Sequence, residues 1–144
     1  MEYRKLKKAL IREEFVALTG SFEQAVILNQ FLYWTERVKD FDYWIVEENI
    51  RRQNHGVGNN INPTSGWIYK TAEELNEEVM LQKSPATILK YLDNMVKNGW
   101  IMKRNNPLYK WDRTLQYRVD LNKLESDLLA IGYQLEGFKK IKKS

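Results

Sequence analysis

The sequence contains no cysteine, which excludes disulfide bonds, zinc sites built on thiolates and cysteine nucleophiles. It also has no glycine-rich loop of the kind that cradles a phosphate. Long apolar runs are missing too, so the sequence predicts neither a signal peptide at the N-terminus nor a segment that crosses a membrane. From these absences we expect a cytoplasmic protein with no membrane association and no cofactor.

The titratable side chains form no arrangement that supports catalysis. The only histidine, His55, lies in a loop-like segment without a partner residue nearby in the sequence. Four glutamates come close together at Glu73, Glu74, Glu77 and Glu78. Without a histidine beside them they are explained as a solvated acidic face, since acids are favoured in the first turns of a helix. We therefore expect no enzymatic activity and no metal site.

The length and composition fit one globular domain. The chain has 144 residues, of which 43% are hydrophobic and 12% aromatic, and this supplies enough apolar surface for a core. We expect the domain to occupy residues 1–132 and a basic tail or linker to occupy residues 133–144.

Positive charge is concentrated in one part of the chain. Residues 83–118 carry eight basic and two acidic side chains, whereas residues 21–50 carry six acidic and two basic ones. A second basic cluster lies between Arg4 and Arg12. Because the phosphates of nucleic acids attract Lys and Arg, residues 83–118 are where DNA is expected to bind.

Capping residues predict two short helices in the middle of the chain. Thr71 and Glu74 form a capping box at the start of the first helix. Ser84 is the N-cap of the second, and the proline after it occupies the first helical position, where its missing N–H costs no hydrogen bond. Gly99 is placed to end the second helix in the left-handed conformation. With residues 80–83 as the turn, this segment is predicted to be a helix-turn-helix.

Strand-like runs flank this motif on both sides. The predicted elements are strands at residues 67–69, 100–104 and 115–119 and a final amphipathic helix at residues 121–131. The basic and aromatic loop at residues 105–113 joins the last two strands. The order of elements predicts a mainly α fold with a small antiparallel β-sheet, namely a winged helix-turn-helix over residues 66–119.

The N-terminal third is predicted to be a helical extension of this motif. Apolar residues recur at helical spacing over residues 4–50, and Ser21 with Gln24 forms a capping-box signature before the most apolar segment. We interpret that segment as a central core helix, with a helix shared between the two copies of a homodimer as the alternative. The pattern leaves open one long helix or two helices with a break near residues 40–42. Residues 51–65, rich in Gly and Asn, are predicted to be a mobile loop.

The second helix of the motif combines an apolar stripe with a polar face. Ile88, Leu92 and Met95 recur at the spacing of a buried stripe. The opposite face would enter the major groove, where Lys contacts guanine or phosphate and Asn pairs with adenine. The candidate DNA-binding residues here are Lys83, Ser84, Thr87, Lys90, Asn94 and Lys97. A solvated helix face is the alternative, and Asp93 favours it because a carboxylate repels phosphate.

The predicted wing also combines basic and aromatic side chains. Its candidate DNA-binding residues are Lys103, Arg104, Lys110 and Arg113, which are expected to hold phosphates. Tyr109 and Trp111 lie among them. We expect these two rings to pack the wing onto the body of the domain rather than to contact DNA.

Four stretches of the chain carry a resemblance to a known family. They are LIREEFVALTG at residues 10–20, YWTERVKDFD at 33–42, GWIYKTAEEL at 66–75 and KWDRTLQYRV at 110–119. Together they resemble the N-terminal winged-helix domains of replication proteins, of the replisome-organiser or initiator-like group, from phages, prophages and conjugative elements of Gram-positive bacteria. The resemblance implies binding to origin or template DNA and recruitment of helicase-loading or other replication proteins. The chain departs from the family at Leu89, where such helices commonly carry a basic residue.

These observations predict a protein that binds double-stranded DNA in the replication of a phage or mobile element. A transcriptional regulator that uses the same surfaces is one alternative. The other is a winged helix that acts as a protein–protein adaptor within a replisome, and the apolar side chain of Leu89 on the outward helix face favours it.

Overall fold

Helices and a small sheet follow one another in the order that the sequence predicts. A computed structural model describes residues 3–56, 64–107 and 109–136. Its helices are α1 (Glu13–Thr19), α2 (Phe22–Asn54), α3 (Ala72–Val79), α4 (Pro85–Lys97) and α5 (Leu121–Ala130), and its strands are β1 (Ile68–Tyr69), β2 (Ile101–Arg104) and β3 (Gln116–Val119). The prediction of a mainly α fold with a small antiparallel sheet is confirmed.

The three strands form one antiparallel sheet with β3 in the centre. Ile101 of β2 lies opposite Val119 of β3, and Ile68 of β1 lies opposite Tyr117. All four of these side chains are buried. One face of the sheet therefore packs on the core, and the segment between β2 and β3 extends from the sheet as a loop.

The predicted caps set the ends of α3 and α4. Thr71 and Glu74 make both hydrogen bonds of a capping box, and the Ser84 hydroxyl accepts a hydrogen bond from the Thr87 amide at 3.2 Å. At the other end of α4, Gly99 has a φ of 82°, and the Trp100 amide donates to the Met95 carbonyl at 3.1 Å. This hydrogen bond joins the last and the first residue of a six-residue segment. It closes a Schellman motif and turns the chain sharply from α4 into β2.

The N-terminal helix begins later than the sequence predicts. We predicted helices from about residue 4, but residues 3–12 form no helix, and α1 begins at Glu13. The apolar side chains that suggested the helix, Leu6, Leu10 and Ile11, are exposed. A short helix is marginal in water unless an apolar face packs on the rest of the protein, and in this segment only Ala9 packs against the core.

Helix α2 is continuous through residues 40–42, where the sequence left a break possible. It has 33 residues and reaches Asn54, so the first four residues of the predicted loop 51–65 are helical. Residues 57–63 of that loop, and residues 137–144 of the predicted tail, lie outside the described part of the chain. None of the described helices is apolar enough over a sufficient length to cross a membrane.

The two halves of α2 have different surroundings. In the first half Ala25, Val26, Ile27, Leu28, Phe31 and Leu32 are all buried, which confirms the central core helix. The Phe31 ring packs against Tyr117 of the sheet with a centroid distance of 5.5 Å. Beyond Thr35 the only buried side chain of α2 is Ile45. This second half exposes Phe41, Tyr43, Trp44, Val46 and Ile50.

Glu78 connects α3 to α2 and to Lys70, which lies between β1 and α3. Its carboxylate accepts hydrogen bonds from the side chains of Gln30 at 2.7 Å and Trp34 at 2.6 Å, and it pairs with Lys70 at 2.7 Å. Burial raises the pKa of Glu78, but the hydrogen bonds from these three side chains outweigh it and leave the pKa below its ordinary value. The sequence suggests that Glu78 belongs to a solvated acidic face. For Glu78 this is wrong, because its carboxylate docks α3 onto α2.

This network predicts a pH-dependent contribution to stability. A carboxyl whose pKa is lowered by folding stabilises the protein above its unfolded pKa, and the contribution is lost as the pH falls through the folded value. Glu78→Gln should therefore lower the melting temperature at pH 7, and the difference from the wild type should shrink as the pH falls below the ordinary value of 4.5. Glu77→Gln is the control, because Glu77 forms only an exposed ion pair with Lys7. A Glu78→Gln defect that is the same at both pH values would contradict the prediction.

Candidate nucleic-acid interface

The outward face of α4 has the polar character that the sequence predicts. Ile88, Leu92 and Met95 are almost completely buried. The exposed side chains on the helix are Pro85, Ala86, Leu89, Lys90, Asp93, Asn94 and Lys97, and Lys83 is exposed just before it. A helix buried along one stripe and free along the other has the geometry needed to enter a DNA groove.

Three lysines recur along this helix at intervals of seven residues: Lys83, Lys90 and Lys97. Seven residues are close to two helical turns, so Lys90 and Lys97 project from the same side of α4 about 10 Å apart. Lys83 lies just before the N-cap Ser84, and the three residues together are called the lysine row below. Within the described residues, none of the three ammonium groups forms a hydrogen bond or an ion pair, so they are available to an anionic partner.

Ser84 and Thr87 have a structural task at the start of α4. The Ser84 hydroxyl caps the Thr87 amide, and the two hydroxyl oxygens lie 2.9 Å apart in a hydrogen bond. Both groups are therefore engaged in the helix cap. A contact with DNA phosphate at this position would use hydroxyls that the cap already orients.

Asn94, the candidate for reading adenine, is tied to another helix. Its side-chain amide donates to the Gln24 side-chain oxygen at 2.9 Å, so it links α4 to the first turn of α2. Pairing with a base would require this hydrogen bond to be broken or shared. Sequence reasoning did not find the contact, because Gln24 was assigned to the capping box of α2.

Asp93, the acid that counted against DNA binding, lies beside a cation. Its carboxylate forms an ion pair with the Lys103 ammonium of β2 at 3.2 Å, and both side chains are substantially exposed. An exposed pair of this kind contributes little to stability. Its local effect is to offset the negative charge of Asp93 and to leave Lys103 less available to phosphate than the unpaired lysines of α4.

Arg104 is held against the sheet. Its Nε donates to the Gln116 side-chain oxygen at 2.8 Å, and its guanidinium lies 4.1 Å from the centre of the Trp67 ring. The side chain is half-buried. The geometry assigns Arg104 a packing role at the end of β2, and Lys110 and Arg113 are the exposed cations of the loop between β2 and β3.

The prediction that the wing aromatics pack onto the body is wrong. Trp111 is 79% exposed and Tyr109 is 53% exposed, and the two rings contact each other at a centroid distance of 5.6 Å. The loop is instead fixed by the Asp112 carboxylate, which accepts hydrogen bonds from the Tyr69 hydroxyl and from the Thr114 amide at 3.0 Å. Because polar contacts hold the loop, the rings are not needed to anchor it.

Asp112 and Tyr69 were missed by the sequence reasoning. The hydrogen bond from Tyr69 lowers the pKa of Asp112 below its ordinary value, so the carboxylate stays charged and continues to accept. The bond from the Thr114 amide two residues ahead is a local signal, since Asp commonly binds a backbone amide two residues later in a turn. The contact with Tyr69 spans 43 residues and has no such signal.

The interface residues thus divide into two groups. Ser84, Thr87, Asn94, Lys103 and Arg104 are engaged within the protein. Lys83, Lys90, Lys97, Lys110 and Arg113 have no side-chain partner within the described residues. These five, called the free cations below, carry the positive charge that the helix and the wing present to solvent.

Comparisons with known proteins add no relative to these observations. No protein-family model, no curated protein and no solved structure matches the chain. The resemblance to replication proteins of mobile elements therefore remains a prediction from the sequence.

Proposed function

We propose that this protein is a winged helix-turn-helix that binds double-stranded DNA, with α4 in the major groove and the loop between β2 and β3 as the wing. The observation that carries the proposal is the set of five free cations on α4 and the wing. Unpaired Lys and Arg side chains on an exposed helix and an adjacent loop are what phosphate contacts require. The order of α3, turn, α4 and a β-hairpin supplies the framework.

The role in replication of a phage or mobile element is the more specific part of the proposal. It rests on the resemblance of four sequence stretches to replisome-organiser or initiator-like proteins, which also makes helicase-loading and other replication proteins the expected partners. A transcriptional regulator would use the same helix and wing. Footprinting on the element's own replication origin, compared with its promoters, separates the two roles.

A protein–protein adaptor is the second candidate function, and one observation favours it. The second half of α2 exposes Phe41, Tyr43, Trp44, Val46 and Ile50, and α4 exposes Leu89. Apolar side chains exposed together on one helix are common at protein interfaces. An adaptor of this kind needs no affinity for DNA, so the DNA-binding experiment below distinguishes it from the main proposal.

Affinity for duplex DNA is expected to depend steeply on salt. If the five free cations contact phosphates, the logarithm of the association constant should fall against the logarithm of the salt concentration with a slope of about −4 to −5. Fluorescence anisotropy with a labelled duplex of arbitrary sequence measures this slope. No binding at low salt, or an affinity indifferent to salt, would contradict the proposal and favour the adaptor.

A further inference from the structure

The tip of the wing exposes two aromatic rings that a folded protein ordinarily buries. Trp111 and Tyr109 are 79% and 53% exposed, and their rings lie 5.6 Å apart with a tilt of 46° between their planes. A tryptophan left in water forgoes one of the largest hydrophobic contributions of any side chain. Their positions are therefore better suited to contact with a ligand than to packing within this chain.

The backbone that carries these rings is ordered by specific hydrogen bonds. The Asp112 amide donates to the Tyr109 carbonyl at 3.1 Å and closes a four-residue turn with Trp111 at its third position. The Asn106 side chain accepts from the Tyr109 amide at 3.3 Å and donates to the Asp112 carboxylate at 3.3 Å. With Tyr69 and Thr114 also bound to Asp112, the turn holds the rings outward before any ligand arrives.

The charges next to the rings indicate the kind of ligand. Lys110 lies between the two aromatic residues in the turn, and Arg113 follows it, both exposed. Aromatic rings interleaved with cations are the combination that binds single-stranded nucleic acids, since bases stack on the rings and phosphates meet the cations. The tip has no exposed aliphatic side chain that would favour a lipid surface or an apolar peptide among residues 109–113.

We propose that the wing tip, defined as Tyr109, Lys110, Trp111 and Arg113, binds unpaired nucleobases of a DNA strand by stacking on Trp111 and Tyr109. Inside a duplex the faces of the bases are covered by their neighbours, so a ring can stack on a base without separating two base pairs only where that base is unpaired. The inference rests on the proposed DNA-binding function and adds a second DNA state to it. Helix α4 and the wing cations Lys110 and Arg113 hold the duplex, and the rings of Trp111 and Tyr109 take an unpaired base where the duplex opens beside the wing.

Binding of the full chain to three DNA probes tests this inference. The probes are an oligothymidine single strand, a blunt duplex and a fork that joins a duplex to unpaired arms. Trp111→Ala should weaken binding to the single strand and to the fork about 5-fold or more, and should change binding to the blunt duplex less than about 2-fold. Trp111→Phe keeps an aromatic face and should retain most of the affinity. Trp44→Ala is the matched control, because Trp44 is also an exposed tryptophan but stacks on Phe41 of α2.

Each outcome separates the wing inference from the proposed duplex binding. If the wild type binds the duplex but not the single strand, or if Trp111→Ala weakens both equally, base stacking is overturned while duplex binding stands. If the wild type binds the single strand through Trp111 but not the blunt duplex, the wing inference stands and the proposed function fails. Melting curves of the variants confirm that each is folded, as expected for substitutions of exposed residues.

Discussion

Replacing Trp100 by alanine is expected to lower the free energy of unfolding by about 3–5 kcal/mol, a large fraction of the stability of a domain this size. The side chain is 6% exposed and belongs to the main core. Its indole N–H donates to the Asp127 carboxylate of α5 at 2.9 Å. The substitution therefore leaves a cavity at the corner between α4 and β2 and also removes a contact between this corner and the last helix.

The backbone at this corner shows why the cavity would be difficult to fill. The Trp100 amide closes the Schellman motif with Met95, and the Trp100 carbonyl accepts from the Asp120 amide at 2.9 Å. Because both groups are fixed, the main chain cannot move inward to fill the space, and the cost of a cavity rises when its surroundings cannot relax.

Chemical denaturation of Trp100→Ala and Trp111→Ala, a matched pair, measures the free energy of unfolding that tests this prediction. The two substitutions are chemically identical, but Trp111 is 79% exposed and its loss should cost less than about 0.5 kcal/mol. Equal stability losses in the two variants, or no loss in Trp100→Ala, would show that the corner is not part of the cooperative core.

The ends of α3 and α4 were predictable because their signals are local. Thr71 with Glu74 and Ser84 with Thr87 are separated by three residues, so the capping bonds can be inferred from the sequence alone. Gly99 is an equally local signal, because its φ of 82° is one that residues other than glycine adopt only with strain. These signals fixed the ends of α3 and α4 to within a residue or two.

The N-terminal region was less predictable because tertiary contacts decide its structure. Leu6, Leu10 and Ile11 have helical spacing but remain exposed, and the segment forms no helix. In α2 the sequence leaves open whether one helix continues or a break occurs near residues 40–42. No Pro or Gly interrupts the helix there, and it continues to Asn54.

The candidate site shows the same division between local and long-range signals. The exposed face of α4 followed from helical periodicity and was predicted. The pairing of Asn94 with Gln24 spans 70 residues and could not be. Trp111 makes the contrast plain, since the sequence predicts that its ring packs on the body of the domain, yet the fold leaves it 79% exposed.

The largest effect on DNA binding is expected when the lysine row of α4, Lys83, Lys90 and Lys97, is replaced by alanine. Each phosphate contact contributes about −0.9 to the slope of log affinity against log salt. One contact therefore makes the affinity about 8-fold higher at 0.1 M salt than at 1 M salt. Loss of three contacts should therefore weaken duplex binding about 500-fold at 0.1 M salt and reduce the magnitude of the salt slope by about 2.7. The difference between variant and wild type should shrink as salt rises.

The chain offers a control that removes the same charge from a different place. Lys5, Lys7 and Lys8 lie in the N-terminal basic cluster, and Lys7 forms an ion pair with Glu77 at 3.0 Å. Their triple replacement by alanine lowers the net charge by the same amount, so any general effect of charge on association is shared by both variants. Only direct phosphate contacts distinguish them, and we expect the control to keep most of the wild-type slope.

The comparison locates the interface whichever variant loses affinity. If the α4 variant carries the loss, the lysine row contacts phosphate, and the side of α4 that carries Lys90 and Lys97 faces DNA. If the control carries it instead, the N-terminal cluster holds the DNA and the assignment of α4 as the recognition helix is wrong. Equal and small losses in both variants would show that neither row contacts phosphate, and the exposed apolar half of α2 would then become the surface that best explains what this protein binds.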